Sequence, residues 1–352
     1  MAYRKWLDYL GDISQIGGIK RYQMLEGKAK GVEAVDVDDG CGLRYTVLID
    51  RGMDLGRLVY RDCGFTFQAA AGVTAPQYYN ERGEEWLQSF GGGFLTTCGL
   101  TQVGDPCVFE GQPYGLHGQV SNLPARLERC EADWQGEDYV MEVAGRVDQT
   151  RHQGVQMSVR RSVKTSLGSG RIQLEDRISN LSADRTPFML LYHMNFGYPF
   201  LSPDTGIYIP ARHTQGWDDF SQQHMEQRKG MPSLQAQASH YTYLHELQTD
   251  SEGNTGFLLW KEREDSFCGV EVRYQQANLP YLGQWMYPKK RDYIMALEPC
   301  NNHIRGTSPE ERNGTLRWLE PQEEVVCRLD IRFFSTREEW AELKAKLEAL
   351  GQ

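Results

Sequence analysis

From Leu43 the chain places apolar side chains at every second position, Leu43, Tyr45, Val47 and Ile49, with small or polar residues between them. The same period returns in Val155, Met157 and Val159, in Ile172, Leu174 and, past Asp176, Ile178, and in Val270, Val272 and Tyr274. A period of two buries one face of a strand and leaves the other towards water, as in antiparallel sheets. Turn-forming clusters separate the runs: Asp38-Asp39-Gly40, Ser166 to Gly170, Ser202-Pro203-Asp204 and Ser251 to Asn254. Segments 155–166 and 171–180, joined by Leu167-Gly168-Ser169-Gly170, read as one long hairpin. Many strands with few helical patterns predict an all-β sandwich or barrel.

The C-terminus breaks the pattern. Thr336-Arg337-Glu338-Glu339 is a capping box, with Thr336 as N-cap and Glu339 at the third helical position. Trp340, Leu343 and Leu347 then share one helical face, which predicts a helix over about 337–350. A short amphipathic helix could form around Trp6, Leu7 and Leu10. Segment 211–250 is polar, rich in Gln and His, and poor in strand pattern, so it reads as a long loop, helical in part. No low-complexity linker, internal repeat or break in composition divides the chain. A single domain over 1–352, with its core at about 17–334, is the simplest organisation.

A chain of 352 residues can bury a large core without disulfides or metals. The formal net charge of −10 argues against nucleic acid, which demands a basic surface, and against an anionic membrane. A neutral small molecule fits better. No apolar run reads as long enough to span a membrane, Met1 to Asp12 does not read as a secretory signal, and the eight scattered cysteines lack CxxC spacing. Free thiols in the cytoplasm are therefore expected.

Candidate chemistry gathers in a few places. In Leu297-Glu298-Pro299-Cys300-Asn301-Asn302, proline stops an apolar strand just after a carboxylate, which aims Glu298 at the rim of a sheet. A surface carboxylate is the plain alternative. In Tyr192-His193-Met194-Asn195, His193 and Asn195 share a strand face amid apolar neighbours and need hydrogen-bond partners. A satisfied core histidine would look the same. His117 sits in the glycine-bounded turn Tyr114-Gly115-Leu116-His117-Gly118. Arg51 and Asp54 follow a strand in Asp50-Arg51-Gly52-Met53-Asp54, where a surface ion pair is the ordinary reading. Trp285 offers an aromatic face of the kind sugars stack on, or a piece of core. Gly91-Gly92-Gly93 lacks the Lys-Ser/Thr of a phosphate loop, and His213, His224, His240 and His245 make no zinc spacing.

Taken in order, His117-Gly118, His193 with Asn195, and Glu298-Pro299 resemble the galactose mutarotase-like superfamily over roughly Gly17 to Phe334. Arg51-Gly52-Met53-Asp54 looks like a marker of an aldose 1-epimerase-like branch of undetermined function. The resemblance implies two large antiparallel sheets packed face to face, a supersandwich with the sugar in an open groove. It implies Glu298 as general base, His193 as general acid and His117 as a sugar ligand, with no metal or cofactor. The chain departs from well-known members in having Gln119-Val120-Ser121-Asn122 where they carry Arg and Trp after the HG turn. A sugar-contacting Asp of the family has no clear match. Arg51 and Asp54, or Asn301, His303 and Arg305, would take such roles. The implied reaction is interconversion of sugar anomers. An epimerase or isomerase acting at another carbon, or a non-catalytic sugar-binding protein, stays open, as does a homodimer.

Overall fold

The computed structural model describes residues 3–263 and 266–351. Among them the chain forms a twelve-stranded and an eight-stranded sheet, antiparallel in their named pairings, and a small separate hairpin. The expected sandwich is what forms. Val47, Leu95, Leu190 and Met194 from the large sheet and Val159, Ile172, Val270 and Ile331 from the smaller one meet in one continuous core. The long hairpin is present, Met157 pairing with Asn180 through Lys164 with Gln173.

The C-terminal helix spans Arg337–Glu348, and the Thr336 side chain accepts from the Glu339 amide. Glu339 returns to the Ser335 amide at 3.2 Å, one residue earlier than a capping box requires. Leu343, Leu347 and Leu350 bury against Leu258 and Phe334 on the outside of the smaller sheet. Two expectations need correction. Residues Tyr3–Asp8 form a 3₁₀ turn whose Leu7 is exposed, not an amphipathic helix. Segment 211–250 is helical in part, as expected, over Asp219–Gln223 and Met225–Lys229, but instead of a long loop it supplies two strands of the large sheet, Ala211–Gly216 and Tyr241–Leu247. Its strand signal, Tyr241, Tyr243, His245 and Leu247, is diluted by a polar residue in the series. His245 is buried there because Thr214 and Gln284 satisfy both its ring nitrogens, at 2.8 and 3.0 Å.

The centre of the sandwich is charged. Arg161 stands in the inward series of its strand, between Val159 and Val163, and is almost fully buried. It binds Asp176, its cross-strand partner, through Nε at 2.8 Å and Nη2 at 2.7 Å. Across the core it reaches the large sheet, donating to Asp54 at 3.0 Å and to the Thr97 hydroxyl at 2.8 Å. Asp54 also accepts from the Thr97 hydroxyl at 2.6 Å, and the Tyr192 hydroxyl donates to Asp176 at 2.7 Å. Burial pushes the Asp54 carboxyl up to about 6 against the opposing pull of Arg161. Asp54 thus bridges the sheets, and the expectation that it binds sugar is corrected: Arg161 and Thr97 use its oxygens.

Removing one partner of such a network strands the others without water. Arg161→Met should therefore cost about 3–5 kcal/mol of stability, read from urea unfolding curves. A loss below 1 kcal/mol would show that the network contributes little beyond packing.

Candidate functional site

Four strands run side by side through the large sheet in the order Leu95–Leu100, Thr186–Gly197, Asp292–Cys300 and Tyr281–Lys289. Along Thr186–Gly197 the side chains alternate. Leu190, Tyr192, Met194 and Phe196 enter the core between the sheets, so His193 and Asn195 project from the opposite, outer face. Thr96 pairs with His193, and Gly283 pairs with Glu298. The pairs Leu191–Cys300 and Met194–Leu297 bracket His193 and set it opposite Glu298. One row across four strands therefore reads Thr96, His193, Glu298, Gly283.

In that row His193 Nε2 lies 2.9 Å from Glu298 Oε1, and both side chains are nearly buried. Glu298 is not at the rim of the sheet, as its proline suggested. The strand continues to Cys300, and Pro299 sits opposite Leu282 within it. Gly283 makes the space: a Cβ there would come within 2.6 Å of Glu298 Oε2. Buried Cys98 and Cys300 are near enough for the carboxylate's charge to raise their thiols further above the range that burial sets.

Loops over the outer face complete the surroundings. Trp86, Val103, Leu116 and Ile304 pack on Met189 and Leu191 in a second apolar cluster, with Phe90 at its edge. The His193 ring meets Phe90 at 5.7 Å, His117 at 5.9 Å and Trp285 at 5.8 Å. Nδ1 of His193 is buried without a hydrogen-bond partner. His117 has a left-handed backbone, φ 56°, and its carbonyl accepts from the Gly99 amide at 3.0 Å. The next residue must be glycine, because a Cβ on Gly118 would lie 2.3 Å from the Gly99 carbonyl oxygen. Burial, and then His193, lower the His117 pKa to about 4, although Glu298 pulls the other way. His117 is thus neutral near pH 7. Its Nδ1 accepts weakly from the Gly104 amide at 3.4 Å, which leaves the proton on Nε2 as a donor.

The other expected residues divide. Asn195 donates to the Gly93 and His193 carbonyls at 3.0 Å, and its buried Oδ1 has no partner. Trp285 lies beside the pair, with its Nε1 committed to His240 at 2.9 Å. His303 meets the Tyr281 ring at 4.5 Å, tilted by 52°, and its Nδ1 lies 3.5 Å from Glu310. Arg305 is exposed and covers Trp217 at 4.1 Å. Arg51 and Asn301 are corrections. Arg51 gives its donors to the Ser121, Thr74 and Ser89 carbonyls and is buried, so it ties loops together. Asn301 is buried, with Oδ1 accepting from the Leu190 amide and Nδ2 donating to the Phe188 carbonyl, so it ties the strand end to the backbone beside it. Gly283, Trp86, Phe90 and His240 escape sequence reasoning because each acts through a neighbour reached only by folding. Among the described residues no group of three His, Cys, Asp or Glu side chains is placed to hold a metal ion.

The fold, an antiparallel sandwich of two large sheets, is that of the galactose mutarotase-like proteins. A candidate aldose 1-epimerase from Klebsiella pneumoniae superposes with a TM-score of 0.86 at 19% identity, over 95% of this chain and 88% of that one. A galactose mutarotase-like protein from Clostridium acetobutylicum gives 0.63 at 14% identity, over 92% and 100%. A galactose 1-epimerase from Lactobacillus acidophilus gives 0.60 at 12%, over 91% and 100%. Within that fold the chain belongs to the family described as a domain of unknown function, DUF4432, which matches residues 29–333. No curated protein matches the sequence.

Two outcomes follow from this geometry. Gly283→Ala should leave the far-ultraviolet spectrum intact but push the Glu298 carboxylate away from His193. Loss of the low-field proton resonance of a His193–Glu298 hydrogen bond would report it, and an unchanged resonance would refute the role of Gly283. The second concerns pH. The folded pKa of His117, about 4, lies below its unfolded value of 6.5, so the unfolded chain takes up the proton first as pH falls. The stability linked to His117 is complete above pH 6.5 and is lost between 6.5 and about 4. The fall in thermal midpoint over that window should be smaller in His117→Gln than in wild type, and equal slopes would contradict it.

Proposed function

We propose that the protein is an aldose 1-epimerase-like enzyme that interconverts the anomers of a sugar by acid–base ring opening and closure. The observation that carries this reading is the buried His193–Glu298 pair, held 2.9 Å apart on neighbouring strands. Ring opening moves two protons at one carbon: a base takes the anomeric hydroxyl proton while an acid protonates the ring oxygen. Those two oxygens share the anomeric carbon, so the base and the acid must stand side by side. Glu298 and His193 do so.

In this mechanism the pair begins as carboxylate and imidazolium. Glu298 accepts the hydroxyl proton, His193 delivers its proton to the ring oxygen, and the C1–O5 bond breaks as the C1 carbonyl forms. Rotation about C1–C2 presents the other face of the carbonyl. Closure reverses both transfers: carboxylic acid and imidazole return to carboxylate and imidazolium, with no net proton consumed. His117, as a neutral Nε2 donor, and Asn195, through its unpartnered Oδ1, are suited to hold sugar hydroxyls. His303 and Arg305 would contribute from the rim. The superpositions, at low identity, support the fold alone, while the reaction rests on the pair.

Glu298→Gln keeps the shape of the side chain but cannot accept a proton. It should slow anomer exchange by about 10²–10⁴-fold, followed by saturation-transfer NMR on a sugar shown to bind. His193→Asn should lose a comparable amount, and the double variant less than the product of the two. Turnover of Glu298→Gln within a few-fold of wild type would sink the proposal.

A further inference from the structure

Beside the His193–Glu298 pair the outer face of the sheet carries an aromatic surface that the proposed reaction does not use. Trp285 and Tyr287 are successive outward residues of the strand Tyr281–Lys289, with ring centroids 6.3 Å apart and planes inclined by 22°. His240 joins them from the loop before Tyr241. Its ring lies 5.5 Å from that of Trp285 at 21°, and the indole Nε1 donates to His240 Nδ1 at 2.9 Å. A short bond between nearly parallel rings holds indole and imidazole side by side as one broad plate. Tyr287 backs the imidazole half, 4.2 Å away and parallel within 2°. Lys289 Nζ lies 5.8 Å from the Tyr287 ring at the far end.

Three features distinguish this plate from core packing. It lies on the face of the sheet opposite the main core, and His240 is exposed while Trp285 and Tyr287 are half-buried. The Trp285 N–H is consumed within the plate, so the indole presents only its face. The accepted bond also fixes His240 as the neutral tautomer with its proton on Nε2, a polar donor on the plate's edge. Flat aromatic faces flanked by a donor suit a saccharide ring, whose C–H bonds lie against the π face while hydroxyls bond at the edge.

The plate continues directly from the acid–base pair. Trp285 touches His193 at 5.8 Å between ring centroids, and the imidazole half begins one ring further out. Building on the mutarotase reading, we propose that the groove has a second sugar subsite on the Trp285–His240–Tyr287 plate, so that the substrate is a reducing disaccharide or longer saccharide. Its reducing ring sits at His193 and Glu298, and the following ring stacks on the plate. A monosaccharide would fill only the first position.

The test compares glucose and galactose with maltose, cellobiose, lactose and melibiose, by calorimetry and saturation-transfer-difference NMR. Wild type, His240→Ala and Tyr287→Ala are used, each checked for an unchanged thermal midpoint. At least one disaccharide should bind about tenfold tighter than its reducing monosaccharide, roughly the scale of one good stacking contact. Saturation should then reach protons of both rings. His240→Ala should erase that gain while leaving monosaccharide affinity within twofold of wild type. The subsite is refuted if no disaccharide gains over its monosaccharide, or if the gain survives both substitutions. Binding needs no turnover, so the two readings separate. A plate-dependent gain without anomer exchange upholds the subsite and removes the reaction. Anomer exchange without any gain removes the subsite alone.

Discussion

Arg161 reaches from the smaller sheet to carboxylates on both sides of the core, and the strand that carries the site is tied to it. Asp176 faces Arg161 within one sheet, Asp54 meets it from the other, and Tyr192 bonds Asp176 from the central strand Thr186–Gly197. Ions removed from water cost several kcal/mol each unless every oxygen and N–H is matched, and here the contacts are close and many. Such a group tolerates little sliding. It fixes how the two sheets stack and also the register of the strand between Tyr192 and its neighbours.

The site inherits that register. Tyr192 points inward to the ionic network, and the next residue, His193, must point outward. Interstrand pairing then sets Glu298 opposite His193, and Gly283 beyond it leaves room for the carboxylate. The His193–Glu298 pair is thus the outer consequence of an inner constraint. The loops that carry Trp86, Phe90, His117 and Ile304 close around it without setting its spacing.

Much of this is legible in the sequence. Period-two runs announce the strands because burial of one face is a local property, and the C-terminal helix shows itself through Thr336 and Glu339. Glu298 and His193 stand out as polar residues in apolar strands. What escapes is whatever depends on distant partners. Arg51 and Asp54 look like ligand residues because their motif is polar and turn-like, yet Arg51 serves three carbonyls and Asp54 serves Arg161. Asn301 is lost in the same way to the backbone of Phe188 and Leu190. The signal for the ionic core lies in plain view: Arg161 and Asp176 each interrupt an apolar alternation, at positions that pair across the predicted hairpin. The rim position expected for Glu298 fails because Pro299 lacks only a donor, and a strand can carry it where no donor is needed.

Because His193 and Glu298 stand on adjacent hydrogen-bonded strands, the separation of their backbones is an interstrand distance, a property of every antiparallel sheet. No hinge has to close to assemble the pair, and no loop has to remember where it is. Selection can therefore rewrite the covering segments, residue by residue, for new ligands while the strands underneath stay in register. Proteins that superpose on this chain at under one-fifth identity share its sheets, the part that such a division of labour preserves.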